Sequence, residues 1–316
     1  MVRYQFSADV KAYLEMLRPH TKESTLKDRA RKLRLISKNV TRLYEEGKMS
    51  SNNARKITSE DLVAYVGFRR SKGISDSTIS KDLCILNQLF LWLGNRAVEE
   101  FRMFGGVFKP HAYTGRKEPI SNEVIDRVID LARRTDDWNI LRGCVIVLLC
   151  TSCGLRSQEA RQLYADDVSF MDGHMIVHVV HVKGEGRYAE PRSVLLMDGV
   201  EDIVQRYLDG RSKKLAEIGR ESRSMFPPLN NSNEFYTQQG FCRMKACVEQ
   251  ELGVRFQLRA GRRAFGQRLL DSGNRIEDVS VAMGHSSTKT TEGYYARNSE
   301  NQVIKRILRN QTNNHR

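Results

Sequence analysis

No stretch of the sequence approaches the ~20 consecutive apolar residues that cross a bilayer. The longest run, residues 145–150 (Val-Ile-Val-Leu-Leu-Cys), is far shorter, and the opening Met-Val-Arg-Tyr-Gln-Phe has no signal-peptide core. The expectation is a soluble, cytoplasmic protein with no membrane partner. Cysteine is also sparse, six in 316 residues, which excludes a small disulfide-stapled module. Cys150 and Cys153 form the one close Cys-x-x-Cys pair, with no second pair or histidine at zinc-finger spacing. All six (Cys84, Cys144, Cys150, Cys153, Cys242, Cys247) are read as reduced thiols, and no metal site is expected. Acidic residues are in deficit: 38 stand against 52 lysines and arginines, a net charge of +14. A partner of negative charge follows, nucleic acid or an anionic surface first. The first 108 residues carry 20 basic and 12 acidic residues and the remainder 32 and 26, which excludes a basic tail appended to a neutral enzyme.

Length and apolar content suit two domains. Residues 105–118 hold three glycines, one proline and no apolar period, and Pro119 follows directly. They read as an extended linker between domains 1–104 and 119–316. In the first domain Leu26, Ala30, Leu33, Ile36, Val40 and Leu43 recur at helical spacing after a Ser24-Thr25 start, and Gly47 ends the run. Beside that stripe lie Lys27, Arg31, Arg34, Lys38 and Arg42, a basic row that could follow a phosphate backbone or simply face water. Further helices are expected over 59–70 and 77–93, with Phe90, Leu91 and Trp92 assigned to the core.

The second domain reads as helices over 121–134 and 140–150, the latter apolar on nearly all sides and hence buried. A β-strand over 175–182, a Lys183-Gly184-Glu185-Gly186 turn and a return strand over 193–196 follow, and helices fill the rest. The fold class is mainly α with a small antiparallel sheet in the second domain. His178 and His181 alternate on the strand and are taken as satisfied strand histidines. Val303, Ile304, Ile307 and Leu308 mark a short amphipathic helix near the end.

Polar candidates occur in a telling order: Gly154-Leu155-Arg156-Ser157-Gln158-Glu159, hairpin Lys183, Arg259-Ala260-Gly261-Arg262, then Met283-Gly284-His285-Ser286-Ser287 and Thr290-Thr291-Glu292-Gly293-Tyr294-Tyr295. Cleaving a phosphodiester without a metal needs cationic donors on the non-bridging oxygens, an in-line nucleophile and an acid for the leaving oxygen. Guanidinium groups bind phosphate bidentately and stay charged at any working pH, so Arg156 and Arg262 suit the first need. Lys183 alone could be an ordinary turn lysine, and Glu159 an ordinary surface glutamate.

Together these motifs resemble the tyrosine recombinases, the phage-integrase group that includes Xer proteins. Gly-Leu-Arg-x-x-Glu resembles the family's first arginine box, Arg262 with its following helix the second, and Met-Gly-His-Ser-Ser-x-x-Thr-Thr-x-x-Tyr the last. The resemblance implies a helical core-binding domain and a catalytic domain clamping duplex DNA at recombination sites, with strand exchange through a 3′-phosphotyrosyl intermediate and a Holliday junction. It implies Tyr294 as nucleophile, with Tyr295 the runner-up, Lys183 as general acid, Arg156, Arg262 and His285 as donors, and Glu159 orienting Arg156. It implies no cofactor, a homodimer on one site and a homotetramer in the synapse. Arg259 departs from the family pattern, which has histidine there. Arginine does not deprotonate, so Arg259 can stabilise charge but cannot take the tyrosine proton. Integrase, Xer-type dimer resolvase and a non-catalytic DNA-binding derivative all fit the motifs, the integrase being favoured.

Overall fold

The computed structural model describes residues 5–111, 118–182, 190–288, 291 and 292, and the chain divides into two compact units, residues 1–115 and 116–316. The first unit is helical: α1 (Gln5–Leu17), α2 (Glu23–Glu45), α3 (Ser59–Ser71), α4 (Asp76–Trp92) and α5 (Ala97–Phe104). The apolar stripe of α2 enters a core with Tyr65 of α3, Leu83, Leu86 and Phe90 of α4, and Val98 and Phe101 of α5. Thr58 and Asp61 cap α3 reciprocally, each side chain accepting the other's backbone N–H. A buried Arg69–Asp82 pair at 2.9 Å, which Tyr65 joins by donating to the same carboxylate, ties α3 to α4.

Two expectations are corrected in this unit. Phe90 is fully buried, but Leu91 and Trp92 are 45% and 40% exposed. Successive helical residues point about 100° apart, so three in a row cannot share one core face. Within the stretch read as an extended linker, Gly106–Phe108 form a 3-10 turn; residues 112–117 lie outside the described residues.

The second unit begins with α6 (Asn122–Arg134), capped by the Ser121 hydroxyl, and α7 (Trp138–Ser152), capped by Asp137. Helix α7 is the core's axis: every residue from Gly143 to Ser152 is buried. Around it lie α8 (Ser157–Arg161), a sheet of β1 (Val168–Met171), β2 (His174–Val179) and β3 (Arg192–Leu195), and α9 (Glu201–Glu217), α10 (Gln238–Arg243), α11 (Ala246–Leu252), α12 (Leu258–Asp271) and α13 (Ile276–Ala282). The sheet is antiparallel in the order β1-β2-β3, with Val179 opposite Arg192. Strand β2 thus ends three residues before the expected Val182, because its pairing with β3 stops there. His178 bonds through its two ring nitrogens to Ser169 and Ser193 on the flanking strands (2.7 and 2.8 Å), a satisfied strand histidine as expected. His181, by contrast, lies beyond β2 and its buried Nε2 has no hydrogen-bond partner among the described residues, which corrects the same reading there. The six cysteines are free thiols, and burial pushes those of Cys144 and Cys150 up to about 12.

Candidate active site

The site grows from two helix ends. Helix α7 stops at Gly154, whose φ of +63° is left-handed and whose missing Cβ would lie 2.3 Å from the Phe265 ring. The chain then turns through Leu155 into α8, where Glu159 sits at the third position and reaches back to accept the Arg156 backbone N–H at 2.9 Å. The same carboxylate accepts Arg156 Nη1 (2.5 Å), Arg192 Nη2 (2.9 Å) and Arg192 Nη1 (3.3 Å), and lies 3.7 Å from Arg262 Nη1. The Glu159 side chain is 1% exposed, which corrects the alternative of a surface glutamate. Burial by itself would raise its pKa. The Arg192 hydrogen bonds and the charges of Arg192, Arg262 and Arg156 outweigh that and hold it at about 2.

The second helix end is that of α13. Gly284, at φ +58°, ends it in a left-handed turn, leaving the last carbonyls without intrahelical partners at the negative end of the helix. Three consecutive carbonyls are met by three different arginines. Ala282 O accepts from Arg192 Nε (2.9 Å), Met283 O from Arg262 Nη2, and Gly284 O from Arg156 Nη2 (3.0 Å). Arg262 also donates through Nη1 to Gly154 O at 2.6 Å. One carboxylate among three guanidiniums leaves a surplus of two positive charges. The side chains of Arg192 and Arg262 are 8% and 7% exposed, while Arg156 keeps 31% of its side chain exposed. Such an arrangement favours an anion with several oxygens, such as a phosphodiester.

His285 follows that turn, its backbone N–H donating to Ser280 O at 2.9 Å. Its Nδ1 is 2.8 Å from the Thr291 hydroxyl, which is 2.6 Å from the Ser280 hydroxyl. Burial, then the charges of Arg262, Arg156 and Arg192, lower its pKa to about 4, so the imidazole is neutral at pH 7. The structure therefore brings Arg156, Glu159, Arg262 and His285 together. Sequence reasoning missed Arg192, the residue before the expected return strand, and Ser280, and it named Thr291 within the last motif without giving it a role. The signal for Thr291 was a hydroxyl six residues after the histidine. Arg259 is exposed on α12 and belongs to none of the ion pairs around Glu159. Lys183, Tyr294, Tyr295 and the tail from 297 onward lie outside the described residues.

In the first unit, Lys27, Arg31, Arg34, Lys38 and Arg42 are all exposed on α2. Lys27 pairs with Glu23, Arg31 with Asp28 and Arg42 with Glu46 at 3.7, 2.9 and 2.7 Å. Arg34 and Lys38 have no such partner among the described residues, and Arg34 lines a groove of about 640 Å³ between α1 and α2.

Residues 119–302 match the phage integrase family. A tyrosine recombinase XerC from Neisseria meningitidis serogroup B is 25% identical over 289 residues, 91% of this chain and 90% of that protein. Among solved structures the fold is similar to that of the XerH site-specific recombinase bound to palindromic difH substrate in a post-cleavage complex. That likeness has a TM-score of 0.69 at 16% identity and covers 95% of this chain and 83% of that one. It is also similar to the Tn1549 transposon integrase in complex with circular intermediate DNA, at a TM-score of 0.64 and 18% identity over 95% of this chain and 98% of that one. The matched span contains every residue of the arginine cluster together with His285, Lys183 and Tyr294. The chain belongs to the phage integrase family and is a tyrosine-type site-specific recombinase.

Proposed function

We propose that this recombinase acts on double-stranded DNA recombination sites as an integrase. In this reading residues 1–104 form the core-binding domain, 105–118 the linker and 119–316 the catalytic domain. The Tyr294 oxygen attacks the scissile phosphorus as its proton passes to water, the bond from phosphorus to the 5′ oxygen breaks, and Lys183 gives that oxygen a proton. The strand stays attached as a 3′-phosphotyrosyl ester until the 5′-hydroxyl of a partner strand displaces the tyrosine. Two such exchanges pass through a Holliday junction, with a homodimer on each site and a homotetramer in the synapse. The bond energy is kept in the ester, so the reaction needs no nucleotide cofactor.

The observation that carries this reading is the surplus of two positive charges around Glu159, beside a neutral His285. Arg156 and Arg262 donate to the non-bridging oxygens, where each transition-state donor is worth about 10²–10³ in rate. In the tautomer this role requires, His285 carries its proton on Nε2 to donate a third bond, and Nδ1 accepts from the Thr291 hydroxyl. Arg259 adds charge only. The α2 residues Lys27, Arg31, Arg34, Lys38 and Arg42 hold the DNA backbone.

Denaturing capture of covalent protein–DNA adducts from randomly fragmented genomic and mobile-element DNA tests the reading. Adducts are expected with the unmodified protein and with Tyr295→Phe and not with Tyr294→Phe. DNA binding without any adduct would leave a non-catalytic DNA-binding derivative of the fold. A second reading, a Xer-type dimer resolvase, is favoured by the XerC name of the curated relatives. Trapped DNA mapping to one chromosomal locus, rather than to the ends of a mobile element, would select it.

A further inference from the structure

We propose that Arg192 is a positioning residue for strand cleavage, locking the Arg156 side chain and the turn that carries His285 into one unit. The proposal rests on the reading of the arginine cluster given above. Arg192 is the first residue of β3, its backbone fixed opposite Val179. Its side chain is 8% exposed, and all three nitrogens are committed: Nη1 and Nη2 to the two oxygens of Glu159, Nε to Ala282 O. Three of its five N–H groups are used in this way, and each bond goes to a group that sets the place of another site residue. Glu159 is the group that holds Arg156 Nη1, so the fork of Arg192 on both carboxylate oxygens fixes the rotation of that carboxylate and hence of Arg156. On its other side the guanidinium packs against the Gly284 turn so closely that a Cβ there would be 2.8 Å from Nη1. One planar group thus joins α8, β3 and the end of α13. Lysine cannot replace it, because a single ammonium cannot reach both carboxylate oxygens and the carbonyl with a planar fork.

The experiment compares full-length unmodified protein with Arg192→Lys, Arg192→Met, Glu159→Gln and the double variant Arg192→Met/Glu159→Gln. The probe is randomly fragmented genomic DNA, and the readout is the initial rate of covalent adduct formation at limiting and saturating DNA. Both Arg192 variants should lose about 10- to 100-fold in the saturated rate, with the half-saturating DNA concentration nearly unchanged, since a positioning residue serves the transition state more than binding. The double variant should be no slower than the worse single one, because the two residues act as a unit. Nuclear magnetic resonance of the His285 ring in the DNA-free protein should show proton uptake at higher pH in Arg192→Met than in Arg192→Lys, which keeps the positive charge while losing the same fork. If Arg192→Met does not fold, Arg192→Lys decides by its rate. A wild-type rate in Arg192→Lys, or losses that multiply in the double variant, overturns the proposal while leaving the recombinase reading intact. Absence of adducts from the unmodified protein overturns both.

Discussion

Glu159 shows how much of the site rests on one side chain. It is buried, it is the anion shared by three guanidiniums, and it also closes the first turn of its own helix. Replacing it with glutamine removes the charge and leaves the arginines facing one another, an uncompensated cluster expected to cost about 3–5 kcal/mol. Urea unfolding of Glu159→Gln against the unmodified protein measures this. The pH dependence follows from the same group. Its folded pKa of about 2 lies below the ordinary 4.5, so its contribution is complete above 4.5 and is lost as pH falls from there toward 2. The acid limb of the stability profile should therefore flatten in Glu159→Gln. At this scale Arg156, Glu159, Arg262 and His285 were legible, because they stand in three short motifs that resemble those of the tyrosine recombinases. Arg192 was not legible, since its partners lie 33 and 90 positions away and nothing local marks it as buried.

Among elements, helices with a clear apolar stripe and a capping residue were read well: α2 from Leu26 through Leu43, α6 from its Ser121 cap. Helix α1 and strand β1 escaped, β1 because four residues give too little alternation to see and because its partner, β2, carries most of the β-branched side chains. The turn after α13 matters more to chemistry than any regular element. Gly284→Ala puts a Cβ on a left-handed residue, at about 1–2 kcal/mol, and against Arg192 Nη1. It should slow adduct formation while circular dichroism shows the helices retained.

At the scale of the whole molecule the excess charge of +14 should appear as a steep salt dependence of DNA binding. Arg34 and Lys38, with no ion-pair partner among the described residues, are the best placed of the α2 row to meet phosphates. The double variant Arg34→Ala/Lys38→Ala should lower the slope of log affinity against log salt by about 2, one for each contact. Arg31→Ala should lower it less, because an exposed pair such as Arg31–Asp28 must first be exchanged. Fluorescence anisotropy with duplex DNA across a salt series measures both.

The three carbonyls at the end of α13 have a consequence for how such a protein changes over time. Arg192, Arg262 and Arg156 are seated on the oxygens of Ala282, Met283 and Gly284, atoms that every amino acid supplies. Positions 282 and 283 give the arginines main chain alone, so any side chain that packs there leaves the seats where they are. An anion cradle built largely on main chain can persist in sequences that have lost most of their common text.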